Sequence, residues 1–279
     1  MKADFSKKNK TFIIAELSGN HNNNLELAIK TIESIAETGA DAVKIQTYKP
    51  ENLTINSDKG YFAPIKKGTW KGYTPWKLYK KASMPYEWHS KLKKISEKKG
   101  LVFFSSVFDK NGIDFLETLD VKIYKIASLE IVDTPLIEYC AKKMKPIIIS
   151  TGVAETKDIE LAIQACHKVG NMDVTLLKCT SEYPARISDA NLLTISDMQK
   201  KFKVKVGVSD HTIGSLVPIV AVSLGATVVE KHYILDRKLG GIDSSFSMDK
   251  KEFTNMVNEI RKVELSLGRI SYNVSKKIS

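Results

Sequence analysis

Short apolar runs and longer segments of helical period alternate along this chain. Thr11 to Ser18 (TFIIAELS) is a compact run with β-branched residues and predicts a strand. The next segment places Leu25, Leu27, Ala28, Ile29, Ile32, Ile35 and Ala36 on one helical face; Asn24 is placed to cap it and Gly39 to stop it. The same couplet recurs. Strands are expected at Ala42–Thr47, Leu101–Ser106, Lys122–Ser128, Pro146–Thr151, Val174–Thr180, Lys205–Ser209 and Thr227–Tyr233. Helices are expected at Pro85–Gly100, Gly112–Thr118, Asp133–Lys143, Thr156–Val169, Asp189–Lys201, Ser215–Gly225 and Lys250–Leu267. Strand–helix alternation implies parallel pairing through right-handed crossovers. Eight such units predict a closed (β/α)8 TIM barrel spanning residues 1–279 as one domain. An open doubly wound sheet is the alternative; it usually carries a glycine-rich turn after the first strand, where this chain has only Gly19.

Residues 49–84 break the rhythm. This insertion after the second strand is rich in lysine, glycine and aromatics (Tyr61, Phe62, Trp70, Tyr73, Trp76, Tyr79). It reads either as a lid over an anionic or sugar ligand or as a surface excursion.

In a barrel the chemistry gathers at the C-terminal ends of the strands. Those ends carry Glu16, Lys44, Gln46, Ser106, Lys125, Ser128, Glu130, Ser150, Thr151, Thr180, Ser209, Asp210, His211 and His232. Lys44 and Lys125 lie within apolar runs, so each needs an anion; Glu16 and Glu130 are the candidate partners, or the lysines await a phosphate or carboxylate ligand. His211 and His232 end neighbouring strands about 5 Å apart. Two imidazoles there would suit a divalent ion with open positions, or be separate hydrogen-bonding groups. His21 also follows the first strand and is within reach of such a site. Asp243 lies on a glycine-rich loop after the last strand and is able to contact a polyhydroxyl ligand or to make an Asx turn.

Composition changes this picture little. The 279 residues are 43% hydrophobic, and the longest apolar stretch is interrupted by Pro218, Ser223 and Gly225, too short to span a bilayer. The N-terminus has no apolar signal core, and Cys140, Cys166 and Cys179 lack paired spacing; reduced, structural thiols and a cytoplasmic protein are expected. The net charge of +11 is spread over many lysines with no nucleic-acid module, so solvated helix faces and anionic substrates, rather than nucleic acid or membrane, are expected.

The stretches IIAELSGNH, GADAVKIQTY, MPYEWHSKL, FSSVFD, YKIASLEI, PIIISTG, LKCTSEYP, VGVSDHTIG, VVEKHYILD and DSSFSM together resemble the sialic acid synthase family, most closely its pseudaminic acid synthase branch. The resemblance implies a TIM barrel that condenses phosphoenolpyruvate with an open-chain N-acetylated amino sugar, here 2,4-diacetamido-2,4,6-trideoxy-L-altrose, releasing phosphate. It implies a divalent ion, Mn2+ first with Mg2+ or Co2+ as alternatives, on His211 and His232. It implies phosphoenolpyruvate on Lys44, Ser106, Lys125, Ser128, Ser150 and Ser209, and the sugar near Gln46, Glu130, Tyr183 and Asp243. Glu16 or Glu130 would handle protons or position water. Ser181 stands where neuraminate synthases carry Asn. Family dimers place an Arg from a C-terminal antifreeze-like (SAF) domain in the partner's site. This chain stops at Ser279, so a barrel without that domain is expected, as a homodimer. A legionaminate or neuraminate synthase is the alternative, and a barrel that only binds a phosphorylated or amino-sugar ligand is the non-catalytic one.

Overall fold

A computed structural model describes residues 10–272; the lysine-bearing ends, 1–9 and 273–279, lie outside them. The eight predicted strands are all present: β1 Phe12–Glu16, β2 Ala42–Thr47, β3 Val102–Val107, β4 Tyr124–Ile126, β5 Ile147–Ser150, β6 Val174–Cys179, β7 Lys205–Asp210 and β8 Val228–His232. Each pairs in parallel with its sequence neighbour, and β1 pairs with β8, so the sheet closes into a barrel. Closure excludes the open sheet.

The helices surround it: α1 Leu25–Ala36, α4 Tyr86–Lys98, α5 Lys110–Thr118, α6 Thr134–Ala141, α7 Thr156–His167, α8 Thr194–Phe202, α9 Leu216–Ser223 and α10 Lys250–Leu267. The caps follow from side-chain chemistry. Asn24 accepts from Leu27 N at 3.0 Å and Asp133 from Leu136 N at 3.0 Å, each satisfying an orphan amide. Gly39 ends α1 with φ +83°, which a side chain would resist. α10 carries a capping box between Asp249 and Glu252.

Alternation along the strands separates two buried layers. Ile14, Ala42, Phe104, Ile123, Ile148, Leu177 and Val228 fill the barrel interior. The opposite face of each strand packs on the helices through residues such as Ile13, Val43, Phe103, Ile149 and Val229. The interior is thus mostly apolar at its base, and its buried charged side chains lie further along the strands, towards their C-terminal ends.

The insertion is more ordered than its composition predicts. It contains α2, Pro50–Leu53, and α3, Pro75–Ala82, the latter capped by Thr74. Gly19 brings the β1 loop against α3: a Cβ there would lie 3.0 Å from Ala82 Cβ.

Candidate active site

The strand ends supply a floor of charges and hydroxyls. Glu16 and Lys44 are register partners on β1 and β2, and Lys44 Nζ reaches Glu16 Oε2 at 2.6 Å. It also donates to Ser106 Oγ at 3.0 Å and lies 3.7 Å from Glu230 Oε2. Lys125 Nζ donates to Ser150 Oγ at 2.7 Å and approaches Glu230 Oε1 at 4.0 Å. Ser209 donates to that same Oε1 at 3.0 Å. Two ammonium groups and two carboxylates are therefore buried together, since any one of them alone would carry several kcal/mol of uncompensated desolvation. Burial disfavours the charge on Lys44, but Glu16 and Glu230 outweigh it and raise its pKa. Burial lowers the pKa of Lys125, and Glu230 opposes this only in part. Burial would raise Glu230; Lys125 and Lys44 hold it below the ordinary value. Burial pushes Glu16 up, against Lys44.

The expected pairing needs one correction. Glu16 partners Lys44, but the anion beside Lys125 is Glu230, not Glu130. Glu130 sits on the turn after β4, where its Oε2 is buried without a hydrogen-bond partner and burial raises its pKa.

Above the floor the two histidines meet, their ring centroids 5.3 Å apart. The Nδ1 of His211 lies 2.9 Å from the Thr180 carbonyl; donating there leaves Nε2 with the lone pair. Burial disfavours a charge on His211, but Cys179 and the Thr180 carbonyl outweigh it and raise its pKa, so the ring is basic. His232 is pushed well below its ordinary pKa by burial, then by His211 and the lysines. It is a neutral imidazole whose buried Nδ1 has no hydrogen-bond partner and lies 3.8 Å from Asp243 Oδ2. No cluster of three His, Cys, Asp or Glu able to hold a metal occurs among the described residues. The donor set that fits an ion is this imidazole pair, one ring oriented by a carbonyl and one with an orphaned nitrogen, leaving other positions to oxygen ligands.

A cavity of about 310 Å3 opens beside His232, and Gln46, which bonds Glu16, joins its lining to the buried floor. Its polar side is Ser18, Gln46, Ser128, Glu130, Ser181, Tyr183, His232 and Asp243. Gln46 donates to Glu16 Oε1 at 3.1 Å and to Ser18 Oγ at 3.0 Å, and Ser18 donates to Asp243. Burial raises the Asp243 pKa, with Ser18 opposing. Tyr183 lies against His211, ring centroids 4.3 Å apart. The apolar side comes partly from the insertion, through Leu53, Trp70, Leu78, Tyr79 and Ala82, and partly from Tyr48, Phe108, Ala127, Leu129, Val153 and Ile242. Trp70 donates its indole N–H to Ile242 O at 2.9 Å, which fixes the ring over the cavity beside Tyr183. The insertion is therefore a roof, not a surface excursion.

The NeuB family profile matches residues 31–272. The chain belongs to the sialic acid synthase (NeuB) family. It is 48% identical to the pseudaminic acid synthase of Helicobacter pylori over 266 residues, which is 95% of this chain and 78% of that protein. It is 44% identical to the pseudaminic acid synthase of Campylobacter jejuni over 275 residues, 99% of this chain and 80% of that one. The crystal structure of N-acetylneuraminic acid synthetase from Leptospira borgpetersenii, in complex with citrate, superposes with a TM-score of 0.86 at 33% identity, covering 96% of this chain and 88% of that one.

In this family member the fold brings most of the expected site residues together at one end of the barrel. Glu16, Lys44, Ser106, Lys125, Ser150 and Ser209 form the floor. Gln46, Ser128, Glu130, Tyr183, His232 and Asp243 line the cavity, and His211 packs beside them. His21 does not join: its Nε2 contacts Ala82 O at 3.2 Å and its Nδ1 accepts from Asn23 N. Asp210 points to the outer side of the barrel wall. The pairing of Glu230, a polar group at the end of the eighth strand, with both lysines and the close approach at Gly152 have no signal in the sequence. At Gly152 a Cβ would meet Ser181 Oγ at 2.2 Å and Ser128 Oγ at 2.9 Å, so only glycine admits both serines. Cys179 is also more than structural packing. Its Sγ lies 3.9 Å from His211 Nδ1, and although burial raises its pKa, His211 and Ser128 bring it down to about 7.

Proposed function

We propose that this chain is a pseudaminic-acid-type synthase, a transferase that condenses phosphoenolpyruvate with 2,4-diacetamido-2,4,6-trideoxy-L-altrose and water, releasing phosphate and a nine-carbon keto acid. The observation that carries the reading is the division of the site: a floor of Lys44, Lys125 and serine hydroxyls beneath an apolar roof from Leu53, Trp70, Leu78 and Ala82. The floor suits phosphate and carboxylate; the roof suits a deoxygenated C6 methyl and acetyl methyls.

Lys44 and Lys125 hold the anionic groups of phosphoenolpyruvate by charge, and Ser106, Ser128, Ser150 and Ser209 direct its oxygens by hydrogen bonds. Gln46, Tyr183 and Asp243 orient the open-chain sugar so that its aldehyde carbon lies within reach of C3 of phosphoenolpyruvate. His211 and His232 would hold a divalent ion, Mn2+ first, which when bound there would supply fixed positive charge able to polarise a carbonyl. C3 adds to the aldehyde carbon, whose oxygen takes up a proton; C2 is left electron-poor, water adds there and loses a proton, and the C2–oxygen bond to phosphate breaks as the C2 hydroxyl becomes the keto group. Glu130 is the better placed carboxylate for the water's proton: it lines the cavity with an unpartnered oxygen, whereas Glu16 is tied to Lys44 and Gln46. The roof excludes bulk water from this centre. A homodimer and a cytoplasmic location belong to the same reading; light scattering tests the first.

A substrate panel decides the matter. Phosphate release and mass detection of the acid are followed with the altrose sugar, the legionaminic precursor and N-acetylmannosamine, with and without divalent metal. The altrose is expected to be the preferred partner and EDTA to stop turnover. Preference for a 6-hydroxylated sugar would reassign the substrate, and failure to consume phosphoenolpyruvate with any sugar would overturn the reading.

A further inference from the structure

The strand alternation that points Ser209, Glu230 and His232 into the barrel turns Asp210 and Lys231 the other way. These two are register partners at the last step of the β7–β8 ladder, and they form an ion pair with side chains 2% and 0% exposed. Lys231 also donates to the Thr212 carbonyl. Asp210 accepts from Thr212 N at 3.0 Å and from Thr212 Oγ1 at 3.1 Å. All three residues flank the histidines: Asp210 and Thr212 bracket His211, and Lys231 precedes His232.

A buried ion pair is weak evidence for stability, because well-packed apolar residues of similar volume usually serve as well. What such a pair does supply is a single geometry. Here it closes a loop of bonds through 210, 212 and 231, so the backbone of His211 cannot move relative to β8 without breaking a buried charge contact. The remaining freedom of His211 is taken up by Ala185 N, which donates to the His211 carbonyl at 3.0 Å, and by the Thr180 carbonyl on the ring. His232 is held on its own side by Met248 N, which donates to its carbonyl at 2.9 Å. From this arrangement we infer that Asp210, Lys231 and Thr212 are positioning residues: a clamp behind the barrel wall that sets the distance and orientation of the two imidazoles for their ion. The inference rests on the proposed metal-binding role of His211 and His232.

The test is Mn2+ affinity of the full chain without substrates, by calorimetry and electron paramagnetic resonance, beside the melting temperature of the metal-free protein. The neutral pair Asp210→Asn with Lys231→Met removes both charges while Asn retains an acceptor for Thr212 N. It is expected to fold and to bind Mn2+ about 10–100-fold more weakly, the usual cost of losing outer partners of metal ligands. A merely structural clamp would lower the melting temperature and leave the Mn2+ affinity unchanged; that result would overturn the inference. If the double variant does not fold, Thr212→Val removes only the hydroxyl bond to Asp210 and is expected to weaken Mn2+ binding in the same direction, to a smaller degree. Unchanged affinity there is equally fatal. Absence of Mn2+ binding by the parent chain would instead defeat the metal reading itself.

Discussion

Replacing Lys44 by Met tests the floor most directly. The ammonium sits between two carboxylates, 2.6 Å from Glu16 and 3.7 Å from Glu230. At an effective dielectric of about 20 these contacts are worth about 6 and about 4.5 kcal/mol of attraction before desolvation is subtracted. Desolvation of the amine takes back several kcal/mol, so a net loss of roughly 3–5 kcal/mol is expected, as for other broken buried pairs. The loss has a pH signature. Without the cation, Glu16 and Glu230 repel, with only Lys125 nearby, and the Glu16 carboxyl, already raised by burial, rises further. A carboxyl whose folded pKa lies above its unfolded value binds its proton more tightly when folded. The variant therefore recovers stability as pH falls towards the unfolded carboxylate range and loses it as pH rises. Urea denaturation followed by circular dichroism from pH 8 to 5 measures the parent–variant difference. Calorimetry with phosphoenolpyruvate should show no binding to the variant. A variant as stable as the parent at pH 8, or a difference that does not shrink on acidification, would refute the account of Lys44 as the bridging cation.

Three further outcomes are expected. Gly152→Ala forces a Cβ into Ser181 Oγ and Ser128 Oγ, so it should destabilise the fold by about 1–3 kcal/mol and raise KM for phosphoenolpyruvate more than KM for the sugar. Steady-state kinetics with unchanged KM values would show that these serines do not hold the substrate. Trp70→Ala removes roof contact; at about 1.5 kcal/mol, the low end for burying a large apolar side chain, it should raise the sugar KM about tenfold with the phosphoenolpyruvate KM unchanged. His21, and His89 buried on α4 against Thr47, are both held down to about 4 by burial, so the unfolded chain takes up their protons first as pH falls below 6.5. Each should remove roughly 3 kcal/mol of stability between pH 6.5 and 4, and His89→Gln should flatten the urea-midpoint curve in that window.

The barrel was legible because its strands are short apolar runs and its helices keep a helical period over three turns. Both signals come from burial against one face, and burial is what the sequence records. The insertion was not legible for the same reason. In α3 only Leu78 is fully buried while its lysines are exposed, and the insertion's aromatics have partners, such as the Ile242 carbonyl under Trp70, that are distant in sequence. His21 fails as a site residue because Asn22 and Asn23 take left-handed backbone conformations, with φ +50° and +53°, and the ring turns onto Ala82 and Trp88. Those angles have no clear sequence signature beyond the asparagines themselves.

Strand alternation also fixes the side on which Glu230 lies. Lys44 and Gln46 are two apart on one strand and therefore share a face; Glu230 and His232 are two apart on another. Once His232 is placed inside the barrel, Glu230 must be inside as well, one step deeper, level with Ser209 in the β7–β8 register. The same step sends Lys231 outward, where a buried lysine requires an anion, and Asp210, its register partner, is the group at hand. Period-two geometry alone therefore sorts EKH and SDH into inner residues that face the barrel interior and outer residues that pair behind the wall. The register between the two strands, which only the fold supplies, then turns that sorting into specific partners.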